Sequence, residues 1–171
     1  NTYDATGRVQ QQTSGTNTFT FAYDPDHQQT TVTDARGVQT RTKYSNAGNP
    51  TEVTVFTNGI RPGDPPSFVT SSAYDLNLEG TSTIYPRGNR EVSTYDAKGN
   101  RLTHTRIAAP VSGEPNSITS YTYDATYNLV KTITDPRGNV TTYAYDPANG
   151  NLLSITQPAV AGGSPTTTFT Y

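Results

Sequence analysis

The chain has 171 residues, of which 31% are hydrophobic and only 15% charged, with a net charge of −2; an average soluble domain carries ~25% charged residues. Twelve Lys and Arg spread evenly along the chain exclude a basic nucleic-acid interface, and low charge sets the chain apart from most disordered sequences, which are poor in apolar residues but rich in charge. The lack of cysteine excludes a disulfide framework, a thiolate nucleophile and a cysteine-based zinc site, and no stretch approaches the ~20 apolar residues of a membrane-spanning helix.

Thr, Asn, Ser, Gly and Tyr fill the gap. Threonine and tyrosine sit well on a pleated, half-wet surface, while 14 Gly and 12 Pro supply reversals. The composition predicts many short strands joined by frequent turns. In chain order, Asn1-Thr2-Tyr3-Asp4 is neither an initiator start nor a signal peptide, so the chain is read as cut from something longer. The first motif, YDATGRV, opens at Tyr3 with Asp4 and Gly7. The next, YDPDHQQ, opens at Tyr23 and Asp24.

Thr30–Phe56 shows the local logic most clearly. Thr30–Thr33 reads as a strand and Asp34-Ala35-Arg36-Gly37 as a turn. Val38, Thr40, Thr42 and Tyr44 then fall on one face, with Gln39, Arg41 and Lys43 on the other. This period of two predicts a strand with one buried side. An Asp at the first turn position can bond its own backbone, and Gly can take the positive φ that closes a type I turn with a bulge. Ser45-Asn46-Ala47-Gly48 repeats the turn, and Val53 and Val55 resume alternation.

Further on, Tyr74-Asp75, Tyr95-Asp96 with Gly99, Tyr123-Asp124 and Tyr145-Asp146 with Gly150 open four more copies, and an eighth would begin at Tyr171. A companion motif recurs as TDARGV (Arg36, Gly37), YPRGNR (Arg87, Gly88) and TDPRGNV (Arg137, Gly138). Arg36, Arg87 and Arg137 follow Tyr23, Tyr74 and Tyr123 by 13, 13 and 14 residues. One continuous array over 1–171 is therefore expected, with super-repeats of about 50 residues near 23–73, 74–122 and 123–170. Pro/Gly-rich inserts at Asn58–Ser67, Ala108–Asn116 and Gln157–Pro165 share one phase and are expected to project from one side.

The recurrence assigns roles. An Asp repeated at Asp4, Asp24, Asp75, Asp96, Asp124 and Asp146 is a turn-maker rather than a catalyst, and Ser45 in the same slot fits geometry better than chemistry. Tyrosines at equivalent positions are expected to form ladders, each ring covering its neighbour with its hydroxyl left for a polar partner. The three arginines are expected to bond carbonyls or the Asp of a neighbouring unit. His27 and His104 occupy different phases with no His-x-x-x-His or His-carboxylate motif around them, and are read as solvated turn and strand residues. Asn139-Val140-Thr141 matches a glycosylation acceptor, but its counterparts do not, and it is read as chance. No phosphate loop, nucleophile elbow or zinc-helix motif occurs; no catalytic residue, metal or cofactor is expected.

These motifs resemble the RHS/YD-repeat family. Its loose pattern, Tyr-Asp-x-x-Gly-Arg/Asn-Leu with trailing Thr-rich strands, is matched most closely by Tyr3–Val9 and Tyr95–Leu102, and with variation by Tyr123–Leu129 and Tyr145–Leu152. Asp135–Asn139 resembles the companion motif. The resemblance implies an all-β array of antiparallel hairpins stacked into a curved, spiralling sheet, often closed into a hollow shell or tube. Relatives include bacterial polymorphic and insecticidal Tc toxins, wall-associated proteins and teneurins. Self-cleavage in the toxins belongs to an aspartyl-type site in a C-terminal core; Asp135-Pro136 and Asp146-Pro147 lie in ordinary repeats. The implied function is a non-catalytic wall segment, secreted or on a bacterial cell surface. Its partners would be adjacent repeats or identical subunits through strand edges, with an enclosed toxin or surface glycans beyond these. The rival is a surface-binding module using tyrosine rows or Pro-rich loops.

Overall fold

The computed structural model describes every residue except Asn58 and Ile60, so part of the first predicted insert lies outside the described residues. Fifteen strands follow one another among the described residues, with no helix. The chain divides into two compact units, Asn1–Gly88 and Asn89–Tyr171.

In the first unit β1 (Thr2–Tyr3), β2 (Val9–Ser14), β3 (Asn17–Asp24), β4 (Gln29–Thr33), β5 (Gln39–Tyr44), β6 (Pro50–Phe56), β7 (Ser67–Tyr74) and β8 (Gly80–Ile84) pair in sequence order. Each pair is antiparallel. The second unit repeats the plan with β9 (Arg90–Tyr95), β10 (Arg101–Ile107), β11 (Ser117–Tyr123), β12 (Val130–Thr134), β13 (Val140–Tyr145), β14 (Leu152–Thr156) and β15 (Thr166–Thr168). The all-β hairpin architecture expected from the sequence is thus observed. Its cause is local, because the strands from β3 to β14 are five to eight residues rich in Thr, Val, Ile, Leu, Tyr or Phe between turn formers.

A meander forces its connections to alternate between two margins. Within the first unit the Tyr-Asp turns 4–8, 25–28, 45–49 and 75–79 share one margin, and the turn 34–38 and the insert after Thr57 share the other. In the second unit the Tyr-Asp turns 96–100, 124–129 and 146–151 lie on one margin. The inserts 108–116 and 157–165 lie on the other, with turn 135–139. The phase argument for the inserts therefore has a topological basis.

The expectation of one buried side per strand does not hold. No hydrophobic residue is buried among the described residues; only Thr54 (3% exposed) and Thr57 (7%) are. Strand β5, with its strict alternation, is half-covered on both faces after Gln39. The physical reason is that each unit is a single layer of sheet, and burying a strand face requires a second layer against it. Cohesion comes from the ladder and from cross-strand pairs. Threonine hydroxyls bond across strands at Thr94–Thr103 (2.7 Å), Thr122–Thr132 (2.6 Å) and Thr156–Thr166 (3.2 Å).

Candidate functional site

The recurring chemistry of the chain lies in its Tyr-Asp turns. In the turns at Asp4, Asp34, Asp75, Asp96 and Asp135, Oδ1 accepts two backbone N–H bonds, from the residues two and four places on, at 2.8–3.0 Å. The Asp N–H closes the loop by donating to the carbonyl four residues later. Gly7, Gly37, Gly99 and Gly138, three places after the Asp, donate to its carbonyl and hold φ between +83° and +84°, the left-handed region that glycine enters without steric cost. Ser45 and Gly48 build the same turn with the serine hydroxyl accepting from Asn49 (3.2 Å). In the copy at Tyr85, tyrosine stands where Asp34 and Asp135 stand, and Gly88 still donates to its carbonyl (2.8 Å).

Four copies depart from this pattern. Leu78 occupies the glycine slot of the Asp75 turn at φ +67°. The turns at Asp124 and Asp146 are one residue longer: Asn128 (φ +58°) and Gly150 (φ +77°) each donate to the Asp carbonyl from four places on. In the Asp24 turn, Oδ1 accepts from the His27 N–H and Gln28 adopts φ +50°.

The carboxyls of Asp4, Asp24, Asp34, Asp96 and Asp135 ionise below the usual range. The Thr6 hydroxyl does most to lower Asp4, the His27 ring Asp24, and the Val38 N–H Asp34. The side-chain amides of Asn100 and Asn139 do the same for Asp96 and Asp135. Hydrogen bonds made to the charged form favour it.

The repeated tyrosines stand at the end of odd-numbered strands, where the chain enters its turn: Tyr3, Tyr44, Tyr74, Tyr95, Tyr123 and Tyr145 at the last residue and Tyr23 one place before it. Tyr3 is largely exposed and the other six are half-buried. The hydroxyl of Tyr23 donates to the Val9 carbonyl (2.8 Å), Tyr74 to Pro50 (2.9 Å), Tyr123 to Arg101 (2.9 Å) and Tyr145 to Val130 (2.7 Å). Val9, Pro50 and Arg101 all stand six residues after the tyrosine of the preceding copy. Val130 stands seven after Tyr123, whose turn has the extra residue. Each of these four tyrosines thus staples its own hairpin to the exit of the turn before it. Burial pushes the Tyr123 and Tyr145 hydroxyls above their ordinary pKa.

The turns also contact one another directly. Asn100 and Asn128 exchange side-chain amide bonds (2.7 and 2.9 Å), Gln28 donates to Asn46 (2.6 Å), and the Tyr127 hydroxyl donates to the Pro147 carbonyl (3.0 Å). The motif pattern gave no signal for these pairs, since they use positions that vary from copy to copy. Leu78 was detectable, because it aligns with Gly7, Gly48 and Gly99.

Two expectations need correction. Arg36 bonds Asp34 of its own turn (Nη2–Oδ2, 3.1 Å) rather than an Asp of a neighbouring unit, because a residue two places from the carboxylate is nearest to it. Both histidines meet carboxylates: His27 Nδ1 lies 2.8 Å from Asp24 Oδ2, and His104 Nε2 lies 4.0 Å from Glu91 Oε2. The second contact crosses from β10 to β9, where sequence spacing is no guide. No group of three or more metal-ligating side chains occurs among the described residues.

The family profile described as RHS Repeat matches residues 3–39, 23–59 and 128–159, together more than half of the chain. Among curated proteins, none matches the chain in sequence. Solved structures with the same fold include one described as TcdB2-TccC3 without its hypervariable C-terminal region, at 16% identity and a TM-score of 0.56, covering 94% of this chain and 10% of that one. Another is a Tc holotoxin pore of Photorhabdus luminescens, at 16% identity and a TM-score of 0.53, covering 90% of this chain and 10% of that one. The chain therefore spans about a tenth of the length of the structures it matches.

Proposed function

Because the chain belongs to the RHS-repeat family, we propose that it is a non-catalytic structural segment forming part of the wall of an extracellular β-shell, tube or fibre. The observation that carries this reading is the tyrosine staple. The same side chain, at the same place in four of the repeats, fixes its hairpin to the one before it. Such a device extends an array by nearest-neighbour contacts, as solenoids do, and the repeated Tyr, Asp and Gly positions define its unit. The half-buried, hydroxyl-anchored rings support a scaffold over a binding surface, since a tyrosine row built to meet glycans would present free faces to solvent.

Strand edges serve as the joints to adjacent repeats or to identical subunits. The faces left half-covered in each unit are suited to enclosing a volume or lying along a fibre. A bacterial secreted or cell-surface setting is supported by the fold shared with Tc toxin components, and an enclosed toxin fits the same reading.

Electron cryo-microscopy of the full polypeptide that carries this chain tests the proposal. Hairpins running as a continuous wall around a cavity, or along a fibre, are expected. Hairpins folded into a compact body against a catalytic or receptor-binding domain would refute it.

A further inference from the structure

In a repeat array, what a register position needs structurally is shown by its counterparts. Departures that converge in space therefore call for a separate cause. His104 faces Ser93 across β9 and β10, as Val53 faces Thr42 and Ile155 faces Tyr143. Arg106 faces Glu91 and Ser117, where Val55 faces Thr40 and Phe68. A patch built from Val53, Val55 and Phe68 in the first unit is thus replaced in the second by His104, Arg106 and Ser117, with Glu91 in place of Thr40. The second unit gives up apolar contact to put ionisable groups on one face.

These groups line a cleft of about 560 Å³, with Arg101, Thr119 and Tyr121 on its walls. Glu91 sits between two partners, 3.4 Å from Arg106 Nε and 4.0 Å from His104 Nε2. The Ser93 hydroxyl lies 3.3 Å from His104 Nδ1, which orients the ring. Arg101 Nη2 donates to the Tyr121 hydroxyl (3.3 Å), and its guanidinium lies over the Tyr121 ring at 5.1 Å. Arg101 is therefore held in place, yet it pairs with no carboxylate among the described residues. One Glu against two Arg leaves the cleft cationic in a chain whose net charge is −2.

We propose that this cleft binds a carboxylate-bearing sugar, a hexuronate unit of an acidic polysaccharide. The carboxylate pairs with Arg101, whose fixed, planar donors suit it. The hydroxyls of Ser117, Thr119 and Tyr121 both donate and accept, as does a neutral imidazole across its two nitrogens, matching the hydroxyls of a pyranose. An acidic peptide fits less well, because its amides need a free strand edge and β10 is paired on both sides. The site goes beyond the scaffold reading and stands or falls separately from it.

Calorimetric titration of the chain with trigalacturonate, its uncharged galactose analogue and a hexa-aspartate peptide tests the proposal. Trigalacturonate is expected to bind, and Arg101→Gln to weaken it by about tenfold or more, the scale of one charge-assisted hydrogen bond. Glu91→Thr, the residue the first unit carries, is expected to tighten it. The double variant His104→Val/Arg106→Val installs the first unit's own residues, so it keeps the fold and is expected to lose binding. No heat with trigalacturonate, equal binding of the neutral trimer, tighter binding of the peptide, or undiminished binding by the double variant would each overturn the assignment.

Discussion

The Asp carboxylate does in each turn what a longer loop would otherwise have to do with backbone alone. In the five-residue Asp turns its Oδ1 collects two N–H groups that point into the turn and would otherwise bond only water. This has a pH consequence. The folded carboxyls of Asp4, Asp34, Asp96 and Asp135 ionise below their ordinary value of 3.8. Their contribution is therefore complete above about pH 5 and is lost as pH falls through the lowered folded values. The melting temperature is expected to be level from about pH 6 to 5 and to drop below that, with Glu52, lowered by its Lys43 hydrogen bond, adding to the drop. Asp96→Asn retains an oxygen acceptor but no titrating proton, so it should remove part of that drop; an unchanged slope in calorimetry would refute the assignment. The staple has its own test. Tyr123→Phe deletes one hydrogen bond and keeps the ring, and is expected to cost about 1 kcal/mol in urea unfolding. Both residues were legible in the sequence, because recurrence marks a turn-making Asp and a ring in a fixed place. The partner of the tyrosine was not, since a main-chain carbonyl leaves no trace in side-chain identity.

The Tyr-Asp turns vary in length. The five-residue form places Gly fourth at φ near +83°, and the six-residue forms at Asp124 and Asp146 place the left-handed residue one position later. Leu78 holds that conformation at φ +67° with its side chain 53% exposed, so it carries backbone strain and gains little contact in return. Leu78→Gly is expected to raise stability by about 1 kcal/mol, measured by denaturant midpoint. Two glycines separate strain from crowding. A Cβ at Gly138 meets nothing within 4 Å, while one at Gly150 meets the Tyr127 ring at 3.0 Å. Gly150→Ala is therefore expected to destabilise more than Gly138→Ala. In a Tyr127→Ala background that excess should disappear, and a double-mutant cycle reads the difference. Strand positions were legible here from alternation and turn spacing. The extra turn residue left a trace only as the 14-residue spacing of Arg137 from Tyr123, and the Tyr127–Pro147 and Asn100–Asn128 contacts that secure the longer form left none, because they join copies through residues outside the motif.

At the scale of the molecule the chain folds on hydrogen bonds and cross-strand pairs with no buried hydrophobic side chain among the described residues. Heat capacity changes on unfolding follow newly exposed apolar surface. The increment per residue is accordingly expected to fall well below the ~12–15 cal/mol/K of ordinary globular proteins, and a value in that range by scanning calorimetry would contradict the single-layer description. The alternating pattern of β5 misled on this point because period two reports two different faces and not that one of them is dry. Composition pointed the right way, since 31% hydrophobic content supplies little for an interior. The polar cleft on β9–β11 escaped sequence reading for another reason. Its groups come from three strands, and only the register shows that His104 and Arg106 stand where valines stand elsewhere.

The oxygen that receives each tyrosine belongs to the peptide group of a valine, a proline, an arginine and a second valine in turn. Every amino acid carries that oxygen, so point substitutions there leave the joint untouched, whereas dropping one residue from a loop would carry it out of reach. Natural selection on such a polymer guards spacing and relaxes spelling. Descendants can then lose nearly all likeness in letters and keep the same architecture, provided they go on counting correctly.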